Sequence, residues 1–309
     1  MVPYIIKRVL HGLMVLLAIS LVVFFLLRLT GDPVMALLGQ GNPTQEAVAA
    51  MQHALGLDQP LWRQLIKFLT DLATGNFGIS FRNKQPVMPQ LVERMPATMT
   101  LAFAGMAVSL LVAVPIGIQS AVRRGKAIDV LGRVFALIGI SFPNFWLGIM
   151  LMLIFAVKLR WLPASGYQGF KYLILPAVTL GLILSSIITR LIRSAMLDVL
   201  RQQYVQTARA KGVAERTVIY RHAFRNALIP TVTFVGLQLG SLLGGTVILE
   251  QVFSWPGVGR LALDAISNRD FPMVQGAVLM LSTVMVAINL AVDLTYGFLD
   301  PRIKVGGKA

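Results

Sequence analysis

Few residues in this chain of 309 amino acids have the types and spacings that chemistry requires. There are no cysteines, which excludes disulfides, thiolate metal sites and cysteine nucleophiles. The three histidines, His11, His53 and His222, lie in separate regions and form no metal-ligand spacing. A loose dinucleotide pattern at 257–262 follows Trp255-Pro256 instead of a strand. The sequence therefore predicts no cofactor and no metal in this chain.

Catalytic and nucleotide-binding sequences are also missing. No G-x-x-x-x-G-K-[S/T] sequence is present, so the chain does not bind ATP phosphates as a P-loop does. Serines occur inside apolar segments, at Ser109, Ser185, Ser186 and Ser241, but no histidine or lysine lies near the middle of a segment to act as their base. We predict that the chain is not an enzyme.

The composition indicates an integral membrane protein, since 56% of residues are hydrophobic and 13% are charged, against about 25% charged in soluble domains. Six apolar segments approach the ~20 residues that cross a bilayer. They are Val9–Leu29, Ala97–Val122, Arg133–Val157, Tyr172–Ile192, Ala227–Leu249 and Met273–Leu294. We predict an all-α polytopic fold with six transmembrane helices.

The distribution of basic residues predicts the orientation. The formal net charge is +15, and most of the 28 Lys and Arg fall in alternate loops and at both termini. Because cytosolic loops are enriched in these residues, we predict that both termini are cytosolic. The charge is spread between the apolar segments, which argues against nucleic acid as the partner.

Three regions follow from these boundaries. Residues 1–29 form the cytosolic N-terminus and first transmembrane helix, 30–96 an extracytoplasmic helical segment, and 97–309 a transmembrane core. The segment 30–96 contains amphipathic stretches at Gln45–Leu55 and Leu61–Leu72, which predict a helical cap on the outer mouth, with a simple tether as the alternative.

Polar residues at membrane depth are candidates for a path through the protein. The third segment is interrupted at Pro143, which predicts a kink, and Asn144 follows it. The kink could serve a polar path or only packing. Asp293 is the one carboxylate that we place inside an apolar segment, near its cytosolic end.

The fifth segment carries small residues on one face. Gly236, Gly240 and Gly244 recur at four-residue spacing, which allows helices to approach closely. Gln238 and Ser241 add hydrogen-bonding groups nearby. This pattern is typical of a subunit interface or of a closing gate, and the sequence does not separate the two.

The loop of residues 193–226 is the most informative part of the chain. Gln202–Lys211 predicts a short helix, Gly212 its end, and Ala214–Phe224 a second helix with Glu215 in its first turn. Basic residues surround a smaller apolar set; the basic ones are Arg209, Lys211, Arg216 and Arg221, and the apolar ones are Val205, Ala208, Val218 and Ile219. The pattern predicts a compact docking element for a soluble partner, although an ordinary charged loop is the alternative.

This loop resembles the E-A-A-x-x-x-G signature of permease subunits in bacterial binding-protein-dependent ABC importers, specifically the peptide/nickel branch. The matching residues are Gln206, Thr207, Ala208, Arg209, Ala210, Lys211 and Gly212. The first two depart from the signature letters, while Ala208 and Gly212 keep its spacing. Arg221–Asn226 resembles the R-H-x-x-x-N sequence of the peptide branch. Further segments resemble the first permease of peptide systems, at 56–61, 75–80 and 250–257.

The resemblance implies a function and a set of partners. The chain would be a permease of type I importer architecture in the bacterial inner membrane, forming the translocation path for di- and oligopeptides. A second homologous permease, one or two ATP-binding subunits that hold ATP and Mg, and an extracytoplasmic solute-binding protein would complete the complex. Glutathione, nickel or a metal chelate are alternative cargoes, and a self-sufficient secondary carrier or channel is the alternative of another class.

Overall fold

Helices form nearly all of the described chain. The computed structural model describes residues 2–29, 34, 38 and 44–299. The helices are α1 Val2–Leu29, α2 Gln45–Leu55, α3 Leu61–Ala73, α4 Val87–Val122, α5 Ala127–Ser141, α6 Asn144–Leu151, α7 Phe170–Leu200, α8 Gln203–Ala210, α9 Glu215–Thr217, α10 Arg225–Val252, α11 Val258–Ser267 and α12 Phe271–Leu299. Segments Met152–Lys158 and Val218–Phe224 are π-helical.

The apolar segments form the long helices that the sequence predicts. Five stretches are long and apolar enough to cross a membrane, within α1, α4, α7, α10 and α12, and a bent pair of helices makes a sixth candidate. The all-α polytopic fold is therefore confirmed. The helices extend beyond the predicted apolar segments because their polar ends continue the backbone hydrogen bonding past the hydrocarbon layer.

The third predicted span is different from the kinked helix that we expected. It consists of Ala127–Ser141 and Asn144–Lys158, which are bent by 105° at the break between them. Phe142 is extended, because a residue before proline is disfavoured in helical geometry, and Pro143 precedes the first turn of α6. Each half has 15 residues and is about 22 Å long, which is less than the ~30 Å of the hydrocarbon core.

Residues of the chain fall into two compact units. The first unit combines Met1–Ala97 with Pro256–Leu290, so part of the predicted outer segment shares a core with α11 and α12. This core contains Val87, Leu91, Val258, Ala262, Ala265, Met273, Val274 and Ala277. Its members Val258 and Ala262 lie in the stretch with the loose dinucleotide pattern, so packing accounts for those residues.

A buried carboxylate joins distant parts of this first unit. Asp270 is 3% exposed and precedes α12. Its Oδ2 accepts a hydrogen bond from the Ser80 hydroxyl at 2.5 Å, and its Oδ1 accepts one from the Phe81 backbone N–H at 3.0 Å. The interaction stabilises the irregular loop before α4, since a buried carboxylate requires several donors.

The second unit, Thr98–Trp255 with Ala291–Ala309, is organised around α7. Helix α7 contacts α5, α6 and α10. Glycines allow α4 to approach it closely: a Cβ added at Gly181 would lie 2.6 Å from Val108 Cβ and 2.9 Å from the Gly105 carbonyl oxygen. Close approach at small residues stabilises helix pairs in membranes, where dispersion contacts replace the hydrophobic effect.

We predict that Gly181→Ala destabilises the protein by about 1–3 kcal/mol, because the added methyl group overlaps both a side chain and the backbone of α4. Gly245→Ala is the matched control, since a Cβ there meets nothing within 4 Å and alanine favours the helix. Thermal unfolding of the purified chains in detergent measures both effects. Equal stability of the two variants would contradict the assigned contact.

Candidate functional site

The first eight residues of the predicted 193–226 loop continue α7, which ends at Leu200, and helix α8 follows with one side buried. Only Arg201 and Gln202 separate it from the end of α7. Val205 is completely buried and Ala208, one turn later, is partly buried. Helix α8 contacts both α7 and the π-helical segment 218–224. The remaining side chains of α8 therefore form an exposed surface on a fixed support.

Gly212 ends this helix, as the sequence predicts. Its φ is +76°, a left-handed conformation that glycine adopts without steric cost. The Gly212 N–H donates to the Arg209 carbonyl at 2.9 Å, and the Val213 N–H donates to the Ala208 carbonyl at 3.2 Å. These bonds satisfy carbonyls that the end of a helix otherwise leaves free.

The second part of the loop is not the separate short helix that we predicted. Helix α9 continues through the π-helical segment Val218–Phe224 directly into α10, so helical backbone extends from Glu215 to Val252. Val218, Ile219 and Ala223 bury the inner side of this stretch. The apolar residues that suggested a separate helix instead pack the base of a membrane helix.

An ion pair closes the glycine turn. Arg209 donates two hydrogen bonds to Glu215, from Nη2 to Oε1 at 2.6 Å and from Nε to Oε2 at 3.1 Å. This bidentate geometry lowers the pKa of the Glu215 carboxyl and raises that of the Arg209 guanidinium. Both side chains are about half exposed, so the pair positions the turn and adds little stability.

The predicted docking residues share one exposed surface. Ala208 is partly exposed, and the others are exposed; these are Gln206, Thr207, Arg209, Ala210, Lys211, Gly212 and Glu215. Next to the turn, a shallow groove of about 380 Å³ is lined by Arg216, Thr217, Tyr220 and Arg221. The surface is basic and lies between the end of α7 and the helical stretch 215–252.

The sequence does not predict a partly buried ion pair that Asp129 forms with Arg193 of α7. Asp129, at the start of α5, is 2% exposed, and its carboxylate accepts bonds from Arg193 Nε at 2.6 Å and Nη2 at 3.1 Å. The Gly125 N–H donates to the same carboxylate at 3.0 Å. Arg193 lies ten residues before α8 begins. The pair therefore holds α5 against α7, the helix that leads into α8.

The candidate path residues are only partly brought together. The Ser241 hydroxyl donates to the Gln238 carbonyl at 3.0 Å on α10, and Asn144 begins α6 after the bend. Among the described hydrogen bonds, none joins Asn144 to either residue. Gly240 is buried, while Gly244 faces open space.

Asp293 is also not the one carboxylate within a span. Glu250 lies inside the apolar stretch of α10, completely buried, and accepts a hydrogen bond from the Thr98 hydroxyl at 2.7 Å.

Comparison with known families gives the class of the protein. Residues 113–305 match the family described as binding-protein-dependent transport system inner membrane component, and residues 1–102 match its N-terminal component. The chain belongs to this family. It is a permease subunit of a transport system of the inner membrane, and it is not an enzyme.

Two relatives are similar over nearly the whole length. The chain is 40% identical to the dipeptide transport system permease protein DppB of Alkalihalophilus pseudofirmus, over 98% of this chain and 100% of the relative. It is 42% identical to the glutathione transport system permease protein GsiC of Salmonella paratyphi A, over 98% and 99%.

A solved structure shares the fold. The inward-facing MetNI methionine ABC transporter superposes with a TM-score of 0.55 at 18% identity, covering 69% of this chain and 98% of that chain. At this level of identity the likeness concerns the fold alone.

We predict that the glycine turn loosens in acid. The pKa of Glu215 is lowered in the folded turn. The contribution of its carboxylate to the stability of the turn is therefore complete above the unfolded pKa of about 4.3, and it is lost as the pH falls through the lower folded pKa. A spin label at Ala210→Cys should become more mobile only below pH about 4.3. Adding Glu215→Gln should give high mobility at every pH, and a label insensitive to both changes would contradict the assigned role of the pair.

A second prediction concerns the buried pair. In a double-mutant cycle, Asp129→Ala and Arg193→Ala should show a coupling energy of about 1–3 kcal/mol, because removing one partner leaves the other charge poorly solvated. The exposed pair Arg260–Asp264, at 4.0 Å, is the control and should couple by less than about 0.5 kcal/mol. Unfolding in detergent measures both cycles. A coupling energy for Asp129 and Arg193 no larger than that of the control would contradict the assigned ion pair.

Proposed function

We propose that this chain is the permease subunit of an ATP-driven importer for short peptides. We further propose that the 193–226 loop contacts an ATP-binding subunit and transmits its movement to the membrane helices. The observation that carries the proposal is the construction of the loop. Its exposed helix α8 and glycine turn lie between α7 and the helical stretch 215–252, with only two residues separating α8 from α7. A force applied to α8 is therefore delivered to two membrane helices.

The docking surface has the features that a soluble partner requires. It is exposed and basic, and it is held in shape by the Arg209–Glu215 pair and the buried Val205. This chain has no P-loop of its own. We propose that one or two ATP-binding subunits, carrying ATP and Mg, bind here and supply the hydrolysis.

A second permease subunit would cover a free side of α10. Leu237 and Ile248 are about half exposed, and Ser241 and Gly244 lie exposed between them at helical spacing. Because small residues permit close packing of membrane helices, this side fits a homologous permease, with the path along the interface. Gln238 and Ser241 are then the polar groups of α10 nearest to that path.

The orientation follows from the charge distribution. With both termini in the cytosol, the 193–226 loop faces the ATP-binding subunits, and its Lys and Arg obey the positive-inside tendency. The segment 30–96 then faces outward, where a solute-binding protein would deliver the cargo.

Short peptides are the proposed cargo, because the relatives with 40–42% identity are named for dipeptide and glutathione transport, and glutathione is itself a tripeptide. Nickel or a metal chelate remains the alternative from the sequence resemblance.

We predict that Gly212→Val abolishes transport while membrane insertion remains normal. A valine at φ +76° costs at least about 1–2 kcal/mol, so the turn rearranges and α8 loses its position. The chain is reconstituted in vesicles together with the second permease subunit, the ATP-binding subunits and the solute-binding protein. Uptake of a labelled dipeptide, of labelled glutathione and of radioactive nickel is measured together with pull-down of the ATP-binding subunit.

Gly56→Val is the matched control. Gly56 has φ +68° with nothing within 4 Å of an added Cβ, so the backbone strain is the same, but it lies in the segment 30–96. We expect Gly56→Val to retain the ATP-binding subunit and Gly212→Val to lose it. Wild-type uptake by Gly212→Val would refute the coupling role, and uptake by the chain alone would instead identify a self-sufficient carrier.

A further inference from the structure

Helix α3 presents an apolar side that nothing in the described first unit covers. Leu61, Trp62 and Ile66 are 55%, 58% and 55% exposed, although they are large apolar residues. Leu65 and Leu69 lie between them around the helix and are partly exposed. At about 100° per residue these five side chains occupy one continuous side of α3, which is typical of a helix in contact with an apolar phase.

Contacts with α1 fix the level at which α3 lies. The Arg28 Nε donates to Gln64 Oε1 at 3.0 Å, and the Phe24 and Phe68 rings stack with centroids 5.5 Å apart. Arg28 is in the last turn of the membrane-spanning stretch Ile5–Leu29. Because α3 packs against the end of a transmembrane helix, it lies at the boundary between the hydrocarbon layer and water.

The hydrogen bonds of Gln64 fix the position of α3 against α1. Its side-chain amide also donates to the Leu57 and Gln59 carbonyls, at 3.2 and 2.8 Å, in the turn before α3. One side chain therefore joins α1, the turn and α3, with both of its amide N–H donors used and its oxygen accepting from Arg28.

We propose that α3 is an interfacial helix whose Leu61, Trp62 and Ile66 side enters the lipid headgroup region beside α1. Tryptophan is enriched at this depth because its ring is apolar and its N–H is polar. The favoured partner is a lipid surface and not a protein, because α3 packs against the last turns of a membrane-spanning stretch whose own apolar side chains are exposed. Phe25, Leu26 and Leu29 of that helix end are 45%, 54% and 82% exposed.

The charged side of α3 indicates the kind of lipid. Arg63 and Lys67 are exposed and flank the apolar side, and the Arg63 guanidinium lies 5.1 Å from the centre of the Trp62 ring. A basic flank beside an apolar face is typical of helices that bind anionic headgroups such as phosphatidylglycerol. The proposal concerns membrane attachment, so it does not depend on the cargo or on the coupling role of the 193–226 loop.

The absence of native cysteines allows a direct test. Spin labels are placed at Trp62→Cys and Lys67→Cys in the full-length chain, reconstituted in vesicles of phosphatidylcholine with and without phosphatidylglycerol. These positions lie about 140° apart around the helix. We expect the label at position 62 to collide mainly with oxygen, which dissolves in lipid, and the label at position 67 to collide mainly with a water-soluble paramagnetic complex. Phosphatidylglycerol should increase the difference.

Each alternative outcome overturns the proposal. If both labels are equally accessible from water, the apolar side is not in lipid. If position 62 is protected only after the solute-binding protein is added, the apolar side is a protein-docking surface. Ile66→Cys repeats the measurement with Trp62 intact, so that a loss of folding in the first variant does not decide the result.

Discussion

The constraint on which this structure depends is that no backbone polar group can remain unbonded in the hydrocarbon layer. It requires long uninterrupted helices, and it explains why α1, α4, α7, α10 and α12 extend past their apolar segments. It also makes the break at Pro143 costly, because Phe142 is extended there and the two halves bend by 105°. The halves are too short to span the membrane separately, so irregular backbone at this level needs protein around it. Helices α7 and α10 both contact α6 and provide such surroundings.

Buried charged groups must likewise be hydrogen-bonded. Among the residues that the structure describes, three carboxylates that are at most 3% exposed each accept hydrogen bonds from residues far away in sequence: Asp129 from Arg193, Glu250 from Thr98 and Asp270 from Ser80. A buried carboxylate is costly unless its donors are fixed, so each pairing defines the position of two elements. Asp129 bears on the proposed docking surface, because Arg193 belongs to α7, the helix that leads into α8.

The sequence predicted what local interactions determine. Helix α8 lies within one residue of its predicted ends, and Gly212 has the left-handed backbone expected of a helix stop. Contacts between residues far apart in the sequence could not be predicted in this way. Asp129 and Arg193 are 64 positions apart, and neither shows in its own neighbourhood that it is buried with the other. Proline at 143 predicts a disruption but not an angle of 105°. The continuous helical backbone of 215–252 was not predicted, because the polar residues of the loop indicated a boundary between two helices.

The unbroken helical backbone from Glu215 to Val252 has a mechanical consequence. At 1.5 Å per residue this stretch is about 57 Å long. Pro230 lies inside it and removes one backbone hydrogen bond, so a twist between the two ends is most easily taken up at that position. A small rotation of α10 would then change which of its side chains lie at the edge of its uncovered side.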